Sequence, residues 1–365
     1  MFLKNYWYVA AWPEEIGEAP LARTILGEPI VFFRTAAGAP VAFEDRCCHR
    51  SAPLSLGRVV GGDQLQCGYH GMTYNADGQC VAIPGQTAIP PQARVRKYPI
   101  VDRWKFSWIW MGDPALADEA KIPHVSFNTD PDWSFVGGYL RFDCHYQLLV
   151  DNLLDLTHET FLHAKTIGNE HVASTPLAKV KANNASALDV SPLGKVVNER
   201  PSVTAARWML DIDPPPLYAA TGGYGERKEK VDRWQLLHFE PPSHVWLDAG
   251  VATAGTGAAD GDRSAGITHI LYDGITPETE DSTHYFWSFP RDYKTEDAAI
   301  TEMLDKGIYN TFLEDQEMLE RQHALLRAKP EALLVDINAD RPAAQARRLV
   351  DKLLAEQAGA TQSAA

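Results

Sequence analysis

The sequence predicts an α+β protein of two domains, an all-β N-terminal domain followed by an antiparallel sheet covered by helices. Three observations predict it: short β-type runs crowd the first 113 residues, further β-rich runs follow a proline-interrupted connector, and a long amphipathic pattern comes near the end. The length of 365 residues agrees, because single cores rarely grow much past about 250 residues.

In the first stretch the runs PIVFF, APVAFED and KFSWIWMGD are separated by Gly, Pro and Asp turns, as in a small β-sandwich. The segment DPALADEAKIPHVSFNTDPD is interrupted by Pro114, Pro123 and Pro131 and reads as a connector. The expected domains are therefore 1–113 and 114–354. In the second, HYQLLVDNLLDLTHETFLH has helical composition, whereas VDRWQLLHFEPPSHVWLDAGVAT, GITHILYDGITPE and STHYFWSF alternate or are β-rich, which suggests one antiparallel sheet. From about Glu296 to Ala328 apolar residues recur every three or four positions, so a long amphipathic helix is expected to pack across that sheet. Residues 355–365 are small and polar and are expected to form a flexible tail.

Composition narrows the function. With 45% hydrophobic and 22% charged residues the chain resembles an ordinary globular protein, and disorder is not its theme. A formal net charge of -14 opposes nucleic-acid binding, which depends on Lys and Arg neutralising phosphates. No apolar run approaches the roughly 18 residues of a membrane span, and MFLKNYWYVAAWPEE carries neither a basic head nor a long apolar segment. Five cysteines, an odd number, do not suggest a secreted disulfide scaffold. A cytoplasmic protein with thiols free for metal is expected.

Four of the candidate ligands lie in two short motifs. Cys47 and His49 form C-x-H, Cys67 and His70 form C-x-x-H within CGYHG, and seventeen residues separate His49 from Cys67. Two hairpins, each supplying one thiolate and one imidazole, suit a [2Fe-2S] cluster whose cysteines hold one iron and whose histidines hold the other. Gly68, Gly71 and the Pro84–Gln86 turn are placed to let backbone N–H groups approach the sulfurs. A structural Cys2His2 zinc site is the alternative, but zinc knuckles usually segregate cysteines and histidines onto separate hairpins. Cys48 reads as a small buried residue, and Cys80 and Cys144 have no partner spacing.

The second motif, DNLLDLTHETFLH, holds Asn152, Asp155, His158 and His163. Two histidines and a carboxylate make a facial triad that leaves positions open on Fe(II) for O2. In an ideal helix a five-residue step turns about 140° beyond a full turn, so His158 and His163 would face apart. The helix must be overwound, bulged or broken between them, and a π-type turn would serve. The default reading of these residues is a polar helix end. The third ligand is expected from FLEDQE, where Glu314, Asp315 and Glu317 are not separable by sequence physics.

Together the two motifs resemble the Rieske non-haem iron oxygenases, from FLKNYWYVAAWPEE to about Leu354, most closely the vanillate O-demethylase oxygenase subunits and next the dicamba O-demethylases. GEPIVFFR, HRSAPLSLG, CGYHGMTY, DNLLDLTHETFLH and DGITPETE carry the resemblance. It implies an N-terminal Rieske domain and a helix-grip catalytic domain. It assigns Cys47, His49, Cys67 and His70 to the cluster and His158, His163 and Asp315 to one mononuclear Fe(II) per subunit. Asp155 would bridge an iron-binding histidine to a cluster histidine of the adjacent subunit in a homotrimer, with Asn152 near the iron. Cys48 departs from the family, where proline is common.

The resemblance further implies a terminal oxygenase that uses O2 to convert a methoxy-aromatic acid to a phenol and formaldehyde. With no strand followed by G-x-G-x-x-G, NAD(P)H is expected to act indirectly through a separate reductase, with or without a ferredoxin. A same-fold hydroxylase of an aromatic ring or of a sulfonate-borne methyl is the nearest rival. A Rieske electron carrier or zinc-stabilised binding module without catalytic iron is the rival of another class. Asp248, His269 and Asp273 are candidate pocket residues whose strand faces the sequence leaves open.

Overall fold

The structure is a computed structural model that describes residues 1–164, 166–182, 188, 190–195 and 200–364. Contacts divide the chain into two compact units, one of Phe2–Ile122 with Thr276–Glu280, the other of Pro123–Ile275 and Asp281–Ala365 with Met1.

The first unit is all β apart from short 3-10 turns. Its strands are β1 (Tyr6–Ala11), β2 (Leu21–Ile25), β3 (Glu28–Arg34), β4 (Pro40–Glu44), β5 (Arg58–Val60), β6 (Gln64–Gln66), β7 (Thr73–Tyr74), β8 (Cys80–Ala82), β9 (Lys97–Tyr98), β10 (Ile100–Arg103) and β11 (Phe106–Met111). They form three sheets, β1-β11-β10, β2-β3-β4-β9 and β5-β6-β7-β8. The run PIVFF lacks alternation because β3 is covered on both faces. Ile30 and Phe32 enter one core cluster with Tyr8 and Ile109, while Val31 and Phe33 enter a second with Cys47 and Cys67. The unit extends past the expected end at residue 113, since Trp7 Nε1 donates to the Asp118 carbonyl at 2.8 Å and Ile122 is buried.

The second unit is built on one seven-stranded antiparallel sheet. Its strands are β12 (Gly137–Phe142), β13 (Lys179–Ala182), β14 (Val203–Ile212), β15 (Val231–Glu240), β16 (His244–Thr253), β17 (Gly266–Thr279, its last residues grouped with the first unit) and β18 (Ser282–Ser288), in the order β12-β18-β17-β16-β15-β14-β13. The helices are α1 (Tyr146–Leu154), α2 (Glu170–Ser174), α3 (Pro216–Thr221), α4 (Tyr224–Arg227), α5 (Ala298–Ala328) and α6 (Arg341–Ala364). This is the expected α+β fold, with helices gripping the sheet.

Helix α5 starts where the Asp297 carboxylate accepts from the N–H groups of Ala299 and Ile300. Its buried stripe runs Ile300, Leu304, Ile308, Thr311, Phe312, Asp315, Leu319, the spacing of one helical face. Phe312 packs on β18, its ring 5.0 Å from that of Tyr285 and 5.4 Å from that of Trp287.

The flexible tail expected over 355–365 is corrected for the described residues: 355–364 continue α6. The Glu, Gln and Ala residues there are good helix formers, so extending an existing helix costs little even with few buried contacts. Among the described residues no helix is long and apolar enough to cross a membrane.

A Cβ on Gly250 of β16 would lie 2.2 Å from the Ile267 carbonyl oxygen and 2.3 Å from the Trp234 ring. Gly250→Ala should therefore destabilise the fold by about 1–3 kcal/mol, read as a lower Tm. Gly359→Ala, with nothing within 4 Å of its Cβ, should instead leave Tm unchanged or raised and slow amide exchange over 355–364. Unchanged exchange there would contradict the helical assignment.

Candidate metal centres

The two cysteine-histidine motifs occupy the loop after β4 and the turn between β6 and β7. Each loop closes on itself: Ser51 N donates to the Cys47 carbonyl, and Gly71 N donates to that of Cys67. Gly71 takes φ +72°, a left-handed conformation that glycine adopts without steric cost. Gly68 is confined for another reason, since a Cβ there would lie 2.5 Å from the Leu56 carbonyl oxygen.

Cys47 and Cys67 are both 2% exposed, whereas His49 and His70 lie at the surface with ring centroids 4.7 Å apart. Buried thiolates beside exposed imidazoles fit a cluster whose sulfur end is shielded and whose histidine end is accessible. The Tyr74 hydroxyl stands 3.0 Å from Cys47 Sγ and 3.2 Å from Cys48 Sγ. A thiolate can only accept, so Tyr74 would donate to a cluster-bound Cys47. The sequence reading missed Tyr74, whose partner lies 27 residues away.

In the second unit α1 stops at Leu154, and a 3-10 turn runs from Leu156 to Thr160. Asp155 joins them with extended backbone, closing α1 while its Oδ1 accepts from Thr157 N at 2.9 Å and Thr157 Oγ1 at 2.6 Å. The chain is thus overwound at His158 and leaves the 3-10 turn after Thr160, between the two histidines as expected, while α1 already ends N-terminal to both; 3-10 winding followed by turns takes the place of the suggested π-type turn. Freed from α-helical phase, the rings of His158 and His163 approach to a centroid distance of 5.1 Å.

Asp315 completes the group from α5. Ligand atoms of His158, His163 and Asp315 all lie within 4.8 Å of one another. Asp315 Oδ1 is 3.6 Å from His158 Nε2 and 3.2 Å from His163 Nε2. His158 Nδ1 donates to the Asp155 carbonyl at 2.6 Å, and His163 Nδ1 to Glu314 Oε2 at 2.7 Å. Both acceptors hold the proton on Nδ1 and leave the Nε2 lone pairs aimed at one point. Asn152 Nδ2 donates to Asp315 Oδ1 at 2.9 Å. Such a set fits a divalent metal with vacant positions.

The three candidate carboxylates are now distinct. Asp315 lies on the buried stripe, Glu314 holds the second nitrogen of His163, and Glu317 is exposed. The stripe's own spacing was the signal that separates them. Asp155 meets the His158 ring through its backbone carbonyl, while a carboxylate oxygen caps the next turn.

Beside this group lies a cavity floored by Leu247, Ala249, His269 and Leu271 on the sheet and roofed by Thr311 and Phe312, one turn before Asp315. Its free space is small, about 50 Å³, so an aromatic ring must displace apolar side chains to enter. Burial, with the Arg233 charge adding to it, pushes the His269 pKa down to about 3, so the ring is neutral. Of the other pocket candidates, Asp248 points to the opposite face, where it accepts from Trp234 Nε1, and Asp273 accepts from the Tyr285 hydroxyl.

Residues 6–99 match the Rieske [2Fe-2S] domain, and residues 142–356 match the vanillate O-demethylase oxygenase C-terminal domain. The chain belongs to the Rieske oxygenases of the vanillate O-demethylase family. This oxygenase is 40% identical to a vanillate O-demethylase oxygenase subunit of Pseudomonas sp. (strain HR199 / DSM 7063), over 100% of this chain and 98% of that one. It is 39% identical to the toluene-4-sulfonate monooxygenase system iron-sulfur subunit of Comamonas testosteroni, over 99% of each. A crystal structure of dicamba monooxygenase bound to dicamba has the same fold, with TM-score 0.84 and 32% identity over 98% of this chain and 99% of that one.

In this Rieske oxygenase Glu314 orients His163 without being one of the three converging groups. Glu314→Ala should lower affinity for Fe(II) about 10- to 100-fold, the usual cost of losing a partner that orients a ligand. Iron retained against a graded chelator measures it, and retention equal to the parent protein would remove this role from Glu314.

Proposed function

We propose that this Rieske oxygenase is the terminal component of a multicomponent system that O-demethylates a methoxy-aromatic acid of the vanillate type, giving a phenol and formaldehyde. The observation that carries the reading is the convergence of His158, His163 and Asp315, with both Nδ1 protons already held, beside a mostly apolar cavity. Cys47, His49, Cys67 and His70 would hold one [2Fe-2S] cluster, and His158, His163 and Asp315 one Fe(II). Bound there, the cluster would supply electrons one at a time and the Fe(II) the open positions at which O2 is activated.

The chain's own residues set the geometry. The Asp155 carbonyl and the Glu314 carboxylate fix the tautomers of His158 and His163, and Asn152 holds Asp315 Oδ1 in place. The apolar walls, Leu247, Leu271 and Phe312 among them, exclude water from the substrate methyl group. Per turnover O2, two electrons and two protons convert the methoxy group to phenol, formaldehyde and water. The electrons come from NAD(P)H through a separate reductase, with or without a ferredoxin, in the cytoplasm. We place Asp155 at the boundary of a homotrimer, conducting between His158 and a cluster histidine of the next subunit; its position beside His158 on an open cleft supports this.

A second reading, hydroxylation of a methyl group on an aromatic sulfonate, is favoured by the 39% identity to the toluene-4-sulfonate monooxygenase subunit. Turnover of methoxybenzoates and toluene-4-sulfonate with a generic reductase separates the two. One formaldehyde per phenol is expected from a methoxybenzoate; a hydroxylated product with no formaldehyde would replace the first reading with the second. Asp155→Asn should leave the visible cluster spectrum intact while lowering product formation at least about 10-fold, and parental turnover in that variant would count against Asp155 as conductor.

A further inference from the structure

Arg233, on β15, lines the cavity and is 4% exposed. Its Nη2 donates to Glu159 Oε2 at 2.9 Å, while among the described residues Nε and Nη1 meet no acceptor. Glu159, 3% exposed, divides its oxygens between Arg233 and Gln235, whose Nε2 donates to Oε1 at 2.8 Å. Gln235 in turn accepts from Nη1 of buried Arg207 at 3.0 Å. Among the described residues Glu159 is thus the one carboxylate hydrogen-bonded into a network that holds two guanidinium groups.

A guanidinium cannot shed its proton, and buried N–H donors without acceptors carry a desolvation cost that the fold retains here. Apart from Arg233, Glu159, Tyr218, His269 and Thr311 the lining is apolar, so an acceptor entering the cavity would meet these donors in a low dielectric. Arginine pairs best with planar or multi-oxygen anions. We propose that Arg233 is the anion-binding residue of the cavity, taking the carboxylate or sulfonate of a small aromatic substrate on the donors that Glu159 leaves unmet. This deepens the oxygenase reading above and rests on it for the identity of the substrate class.

The test uses the holoenzyme and calorimetric binding of vanillate, its methyl ester and toluene-4-sulfonate, which compare a carboxylate, a neutral isostere and a sulfonate. Wild type should bind vanillate at least about 10-fold more tightly than the ester, and Arg233→Gln should erase that preference by weakening vanillate about 10- to 100-fold while the ester changes less than about 3-fold. With the acid, KM should rise with kcat little altered. The double variant Arg233→Gln with Glu159→Gln removes the carboxylate that the single variant strands, and should give the same result. Toluene-4-sulfonate following the same pattern assigns sulfonates to the site as well; carboxylate alone following it restricts the site to carboxylates.

Equal weakening of acid and ester in variants with intact cluster absorbance would make Arg233 merely structural and overturn the proposal. So would unchanged vanillate binding. If both variants lose the cluster spectrum, wild type decides, because equal affinity for acid and ester overturns the proposal and preference for the acid supports it. Absence of formaldehyde from vanillate would sink O-demethylation alone, since the binding comparison stands without turnover.

Discussion

Two imidazoles can offer lone pairs to one point only if something else holds their remaining protons. Here the acceptors are the Asp155 carbonyl and the Glu314 carboxylate, on different elements of the second unit. Much of the local architecture follows from that requirement. The carbonyl meets the His158 ring because α1 ends at Leu154 and Asp155 starts a tighter turn, and Glu314 reaches His163 because it is the neighbour, along α5, of a residue on the buried stripe. A continuous α-helix through His163 would turn the rings apart.

The cysteine-histidine loops solve a related problem with other means. Their cysteines belong to the same core cluster as Phe33, Phe43 and Leu65, so the sulfurs sit in apolar surroundings while the histidines face outward. Burial would disfavour thiolates left alone, and a bound metal together with the Tyr74 hydroxyl offsets that cost. Cys48, expected to be buried, is exposed, and its Sγ stands against the same hydroxyl.

The cavity shows how polar residues are tolerated inside the sheet. Arg233, Gln235 and His269 occupy one face of β15 and β17, and Gln235 aligns through Ala249 with His269 across three strands. On the opposite face Asp248 joins Trp234, Ser191 and Arg263. Each face satisfies most of its polar groups internally, and Arg233, with its unmet donors, is part of the cavity lining.

By itself the sequence determined the α+β class, the two cysteine-histidine pairs, the His158 and His163 pair and the long helix α5, because each is written in local spacing: ligand intervals within a loop and apolar periodicity along a helix. It did not reveal the faces of β15 to β17, since both sides of those strands are buried and alternation is lost. Nor did it show that the Asp155 carbonyl meets the His158 ring, that 355–364 stay helical, or that Arg233 meets Glu159 from 74 residues away. Tertiary structure alone decided those pairings, because what a buried polar atom must find is an acceptor nearby in space, and distance along the chain carries no record of it.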